Sequence, residues 1–404
     1  MRGTLPALMV CVFGVTTGEF VLAGILPGVA TELEVSIPAA GLLVTAYALG
    51  MIVGGPLLTA ITAGRSRKPL VLALLGVAIA GNLISALAPG YGVLFAARIV
   101  TALVTATFFA NAVVIVVSAS RPGREASSIA KLALGMNLAM ILGAPLGTYL
   151  GNAHGWRSTF LAITACCALG LLLVARFIPG TPVESSISAD GPGVSGAEID
   201  ASTSARRSAL AELRVLRGRE VQLAIGVTAV ANIGLLTVFT YLAPLLTEVG
   251  SFAAGAVAPM LLVYGVGAAL GNLAGGWLAD RALLPSQLVS LAVLVAILLA
   301  LWASTGTAMT AVLIFAAGAV GFSVIPGMQT RVMATASAAP TLAIAVNASA
   351  YQVAAAFAGW LGGRVIDGPG LRAIYLAAAL TTIAGIGLSA AAWLRERNAV
   401  PVKV

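Results

Sequence analysis

Residues 48–58 read Ala-Leu-Gly-Met-Ile-Val-Gly-Gly-Pro-Leu-Leu, and residues 269–279 read Ala-Leu-Gly-Asn-Leu-Ala-Gly-Gly-Trp-Leu-Ala. The two stretches align without a gap. Each holds a GxxxG pair, Gly50/Gly54 and Gly271/Gly275, the spacing that lets two membrane helices bring their backbones together. An apolar stretch that recurs in this way predicts a molecule built from two copies of one helical unit. A weaker echo, Gly155-Trp156-Arg157 against Gly370-Leu371-Arg372, falls just before the last span of each copy.

The composition places those helices in a membrane. Of 404 residues, 60% are hydrophobic and only 9% charged, with a mean hydropathy of +1.04. Soluble domains carry about 25% charged residues. So little charge cannot cover the surface of a soluble chain of this length, which excludes a soluble enzyme, a nucleic-acid binder and a disordered scaffold. The 18 prolines and 46 glycines exclude a coiled coil or a fibre. Cys11, Cys166 and Cys167 lie inside apolar runs without metal or redox spacing, and the sole histidine is His154. The cysteines read as small buried hydrophobes, and neither metal nor cofactor is expected.

Twelve segments are long and apolar enough to span a bilayer: about 5–26, 38–61, 69–88, 93–117, 128–150, 158–178, 221–246, 257–279, 288–304, 309–325, 342–362 and 373–393. Their runs are continuous, not alternating, so the fold class is an all-α polytopic membrane protein. The first segment is too long for a signal-peptide core and reads as a retained span. Residues 179–219 begin with Pro, Gly and Ser and end with Arg206, Arg207, Arg214, Arg217 and Arg219. This is a linker whose second part reads as a basic amphipathic helix on the membrane surface. It separates an N-terminal six-helix half (1–178) from a C-terminal half (220–404).

Orientation follows from the basic residues. With the N-terminus inside, 18 of the 22 Lys and Arg fall on the inner face, among them Arg65, Arg67, Lys68, Arg281 and Arg331. Arg157, Arg364 and Arg372 fall outside, and Arg98 lies within a span. The bias predicts a chain crossing the cell membrane with both termini cytoplasmic. The net charge of +8 therefore concerns orientation and not a nucleic-acid partner.

Most charges lie at span ends; Glu19 and Arg98 do not. A charge at the bilayer centre costs about 3 kcal/mol, so such residues are rare and functional by default. Glu19 on span 1 and Arg98 on span 4 both fall about 8–10 Å below the outer hydrocarbon surface, where they can meet. Burial and a nearby guanidinium act on the protonation of Glu19 in opposite senses, and a carboxyl poised between the two can carry protons. A static salt bridge is the competing reading. In span 5, Gly143, Pro145 and Gly147 combine a helix bend with a flat face, which predicts tight packing against the other half and a pivot. Phe108, Asn111, Asn137, Asn232 and Phe239 are candidates for the cavity wall, with helix–helix packing as the alternative for each. Other in-span polar residues include Tyr47, Tyr264, Tyr351 and Gln352. No GxSxG, Walker loop or HExxH occurs, so any active transport draws on an ion gradient.

These residues resemble the major facilitator superfamily, specifically the twelve-span drug/proton antiporters of the arabinose-efflux and chloramphenicol-exporter branch. The likeness rests on Thr16-Thr17-Gly18-Glu19-Phe20 through Leu26-Pro27, on Ser36-Ile37-Pro38-Ala39-Ala40-Gly41-Leu42-Leu43, on Arg98 and on Gly143-Ala144-Pro145-Leu146-Gly147. Gly276-Trp277-Leu278-Ala279-Asp280-Arg281 and Gln329-Thr330-Arg331-Val332-Met333 also carry it. The resemblance implies that spans 1, 4, 7 and 10 line the cavity and that Glu19 is the leading protonation site. It also implies that Arg65, Arg67, Lys68, Asp280, Arg281 and Arg331 belong to the inner gate. Thr59 stands where the family loop carries Asp, leaving that gate role to Asp280-Arg281, and Thr101-Ala102 replaces the usual Gln-Gly after Arg98. The expected function is proton-coupled efflux of small lipophilic compounds such as antibiotics, by a monomer. Sugar or metabolite efflux is the alternative, and a passive facilitator or membrane-embedded enzyme a remote one.

Overall fold

The computed structural model describes residues 3–62, 65–120, 125–178, 218–335 and 340–399. Residues 179–217, with Arg206, Arg207, Arg214 and Arg217 of the linker, lie outside the described residues, as do Arg121 and Arg124; Arg219, expected in the linker, is instead the first residue of a helix. Among the described residues all regular structure is helical. Helices α1 (Thr4–Phe20) and α2 (Leu22–Glu32) form the first span, bent by 51° at Val21. Helices α3 (Ile37–Ile61), α4 (Arg67–Ala86) and α5 (Tyr91–Ser118) each cross once. The fifth span joins α6 (Glu125–Leu138) to α7 (Ala144–His154) through a π-helical turn at Ala139–Gly143, which ends two residues before Pro145; α8 (Trp156–Phe177) is the sixth. Span seven is α9 (Arg219–Thr240), continued by Leu242–Pro244 and a second π-helical turn, Leu245–Val249.

Helix α10 (Val257–Ala303) has 47 residues. At 1.5 Å per residue that is about 70 Å, more than twice the bilayer core, so it makes two crossings. They are divided at Ala282, whose backbone is non-helical (φ −156°, ψ 76°). Helices α11 (Thr307–Thr335), α12 (Pro340–Asp367) and α13 (Ile374–Ala399) complete the twelve. One boundary differs clearly from the sequence reading. Span ten does not end near residue 325 but continues through Pro326 to Thr335. The polar Gln329-Thr330-Arg331 resembles a loop in sequence, yet Val332 packs with Val221 and Ala224 of α9 and keeps the helix going. Arg331 is thereby buried within a helix, not placed after one.

The internal repeat has a physical counterpart. A Cβ on Gly50 or Gly54 would strike α5 at Ile99 and Leu103, and one on Gly271 or Gly275 would strike α11 at Ala319 and Ser323. In both halves, then, the second span rests backbone to backbone on the fourth, leaving no room for side chains. The weaker echo is explained too. Gly155 and Gly370 both adopt positive φ (85° and 100°), a conformation in which a side chain is strained. Each turns the chain so that the following arginine reaches back to the end of its half's third span. Arg157 Nη2 donates to the Ala88 carbonyl (2.8 Å), and Arg372 donates to the carbonyls of Trp302 (2.7 Å) and Ser304 (3.0 Å). Both arginines cap C-terminal carbonyls left without helical partners.

We call the side bearing the two chain ends the terminal side and the other the distal side. The contacts joining the first six spans to the last six lie toward the distal side. There α3 packs on α12, with Thr45 Oγ1 donating to the Ala356 carbonyl (2.8 Å); α2 meets Leu242–Pro244; and Asn152 Nδ2 donates to the Ala254 carbonyl (3.2 Å). A Cβ on Gly265 would meet the backbone of Met140 and Ile141, so α10 rests closely on the π-helical turn of span five.

Candidate functional site

Glu19 lies two residues before the break in the first span, at the junction of the two halves. The bend is braced from outside the helix: Arg98 Nη1 donates to the Gly18 carbonyl at 2.6 Å. The Arg98 guanidinium also stacks over the Tyr47 ring, 4.3 Å from its centroid, and faces Phe160 at 5.9 Å. Arg98 is 1% exposed, and its Nε and Nη2 have no protein partner. Glu19 and Arg98 therefore come close, as their depths predict, but they form no ion pair. The arginine holds the backbone beside the carboxylate instead. The carboxylate itself is claimed from the opposite half, where Gln352 Nε2 of α12 donates to Glu19 Oε1 at 3.0 Å.

A narrow cavity of about 30 Å³ sits at this junction, room for a water or two. Glu19, Phe20 and Ala23 line it from the first span, Val44, Tyr47 and Ala48 from α3, Leu236, Phe239 and Thr240 from α9, and Tyr351, Gln352 and Ala355 from α12. Phe239 stacks edge-on with Phe20 (5.9 Å) and, tilted, on Tyr264 (5.3 Å). The walls are mostly apolar and aromatic, with one carboxylate and one amide as the fixed polar pair. In this closed arrangement the space holds water and no larger molecule.

The other residues singled out from sequence fall in several places. Of the cavity candidates, Phe239 lines the cavity, while Phe108 is buried in the core of the first half. Asn111 bonds to the Thr107 carbonyl one turn back (2.8 Å); Asn232 bonds to the Thr228 carbonyl (2.7 Å) and to Met328 Sδ (3.3 Å); Asn137 is exposed. The span-five glycines correct one expectation. Gly143 packs against Thr17, and Gly147 against Val21 and Thr159, so this face rests on the first and sixth spans of its own half. The close approach to the other half is made instead by Met140 and Ile141, with the glycine supplied by α10. Pro145 is buried at the start of α7. On the terminal side, Arg65 and Arg67 are exposed, and Lys68 Nζ donates to the Ala175 carbonyl near the end of α8 (2.9 Å). Asp280 and Arg281 are exposed beside the Ala282 kink, with Arg281 stacked on Trp277. Arg331 joins Arg98 as a buried arginine, so among the described residues Arg98 is not alone as a cation removed from solvent.

Sequence reasoning named Gln352 and Tyr47 only among a group of polar in-span residues. Nothing in the spacing distinguished Gln352, because its partner is 333 positions away.

Comparison with known proteins agrees with this architecture. The chain is 35% identical over 386 residues to the Escherichia coli (strain K12) "Inner membrane transport protein YdhP", covering 95% of this chain and 94% of that protein. It is 31% identical over 356 residues to a chloramphenicol resistance protein of Streptomyces lividans, covering 87% and 86%. Its fold matches the crystal structure of a D-xylose–proton symporter with a TM-score of 0.74 at 13% identity, over 96% and 97% of the two chains. The first of these is named a transport protein and the third a symporter. The sequence profile described as Major Facilitator Superfamily matches residues 8–341, and the chain belongs to that family.

Proposed function

We propose that the protein is a proton-coupled exporter of small lipophilic compounds, antibiotics of the chloramphenicol kind among them, working by alternating access. The observation that carries this reading is the position of Glu19. It is a carboxylate in an aromatic cavity where the two halves meet, hydrogen-bonded to one half and carried by the other. A group so placed changes its surroundings whenever the halves move, which is what a proton carrier requires. The likeness to a chloramphenicol resistance protein supports the substrate class.

The excess of basic residues supports placing the terminal side in the cytoplasm, with both termini there and the closed distal side facing outward. In this reading the halves, 1–178 and 220–404, rock about the distal contacts, and the molecule is poised to load from the cytoplasm. Arg98 keeps the broken first span in shape beside Glu19, while Arg65, Arg67, Lys68, Asp280, Arg281 and Arg331 belong to the terminal-side gate. A proton entering down the potential supplies about 2.3 kcal/mol per 100 mV, plus its pH gradient. No partner beyond substrate, protons and lipid is needed, and a monomer suffices.

The test is chloramphenicol export by proteoliposomes under an imposed pH gradient, with arabinose as a parallel substrate. Wild type should accumulate chloramphenicol against its gradient, and Glu19→Gln should not. A normally folded Glu19→Gln protein that still concentrates the drug would end the proton-carrier reading. Gradient-driven movement of arabinose alone would favour sugar efflux.

A further inference from the structure

Most of what holds the two halves together is indifferent to protons. Thr45 to the Ala356 carbonyl and Asn152 to the Ala254 carbonyl are bonds between neutral groups, and the glycine contact at Gly265 is pure packing. The bond from Gln352 Nε2 to Glu19 Oε1 differs in kind, because its acceptor is ionisable. The charged and titratable groups facing that carboxylate are Arg98 from α5, Tyr47 from α3 and Tyr351 from α12. From α9 come only Phe239 and Thr240, and the neighbouring Asn82 of α4 is neutral. Arg98 is not bonded to the carboxylate and retains two buried nitrogens without protein partners.

We propose that Gln352 is an inter-half latch that holds the empty, deprotonated carrier closed on the distal side and so prevents protons from passing without substrate. The inference rests on the proton-carrier reading of Glu19. A hydrogen bond to a charged acceptor is about twice as strong as one to a neutral acceptor. The ionised carboxylate therefore grips Gln352, and the protonated one grips it weakly. After a proton is released to the terminal side, Glu19 is charged and the latch engages. Opening then requires another donor at the carboxylate in place of the Gln352 amide. A substrate with an N–H, O–H or cationic group supplies one. Without the latch, an empty carrier can open distally, take up a proton, close and release it: a proton leak.

The experiment uses the full chain in proteoliposomes without any substrate. Decay of an imposed pH gradient is followed with trapped pyranine under a potassium diffusion potential. In parallel, spin labels at the exposed distal residues His154 and Gly255 report the separation of the halves. Gln352→Leu, which keeps the bulk but removes the donor, should raise the proton leak about tenfold, the effect of losing a hydrogen bond to a charged group. It should also shift the label distances toward the separated form at high pH. The double variant Glu19→Gln/Gln352→Leu should abolish the leak, and Gln352→Asn should restore part of the wild-type behaviour. Unchanged leak and unchanged distances in Gln352→Leu would overturn the latch while leaving the proposed function standing. Separated halves without a leak would overturn the proton-carrier role of Glu19 on which the latch depends.

Discussion

The first six spans and the last six share a scaffold but not a chemistry. In each, glycines of the second span press on the backbone of the fourth, and an arginine opening the last span caps the third. The register of those glycine contacts makes Gly318 the counterpart of Arg98, since Gly318 precedes Ala319 as Arg98 precedes Ile99. Where the first half buries a guanidinium over Tyr47, the second buries a glycine against the backbone of Tyr264. What the two halves share is packing that tolerates no side chain at those glycines. What diverged is the interior beside the cavity, where one half supplies the carboxylate and the other the amide.

Substitutions can break this comparison where it is strongest. Gly54→Leu and Gly275→Leu each force a side chain into a helix backbone. Overpacking costs 1–3 kcal/mol even where side chains can yield, and a backbone cannot. Both variants should lose about 3 kcal/mol or more and fail to accumulate as folded protein, to similar extents, as fluorescence-detected gel filtration would show. If only one fails, the halves are not equivalent in packing.

Next in size is the asymmetric pair. Arg98→Leu should remove the bond to Gly18 and reduce chloramphenicol export at least about tenfold, at a cost of only a few kcal/mol in stability. Gly318→Ala, at the equivalent place, should act through folding alone, with any correctly folded fraction transporting at the normal rate. A transport defect in the folded Gly318→Ala fraction would show that the second half shares the chemistry.

The smallest effect sharpens the capping device. Arg157→Ala and Arg372→Ala should each lower stability by about 1 kcal/mol, the worth of a capping hydrogen bond. Arg157 also pairs with Glu32 at the end of α2, but both side chains are partly exposed, so the pair adds little. A thermal-shift assay should therefore find the two variants alike within about 1 kcal/mol. A much larger loss for Arg157→Ala would mean that the Glu32 pair anchors the bent first span.

Much of this organisation is legible in the sequence, for identifiable reasons. Backbone-to-backbone contact demands glycine, so the repeat is written in residue types, and so are the positive-φ glycines ahead of Arg157 and Arg372. Glu19 stands out because charge is scarce in an apolar chain. Facing is another matter. In a bilayer the lipid-facing and the core-facing sides of a helix are both apolar, so periodicity does not reveal which way Gly143 and Gly147 point. The same ambiguity hid Gln352, one amide among several until its distant partner is placed beside it. Arg331 reads as a loop residue because Pro326 and three polar residues look like the end of a span. Continuing the helix depends on contacts with α9 that no local pattern records.

One joint has a practical consequence. Spans eight and nine are two helices joined at a kink, with non-helical Ala282 between them and no long loop on the terminal side. Span eight bears on the other half at Gly265, whereas span nine ends at the periphery with Arg372 fastened to Trp302 and Ser304. With so short a joint, a tilt of span eight is expected to carry part of its motion into span nine. A dye on the distal loop at Ser304–Gly306 would thus report the working stroke from the rim of the protein, well away from the residues that touch cargo.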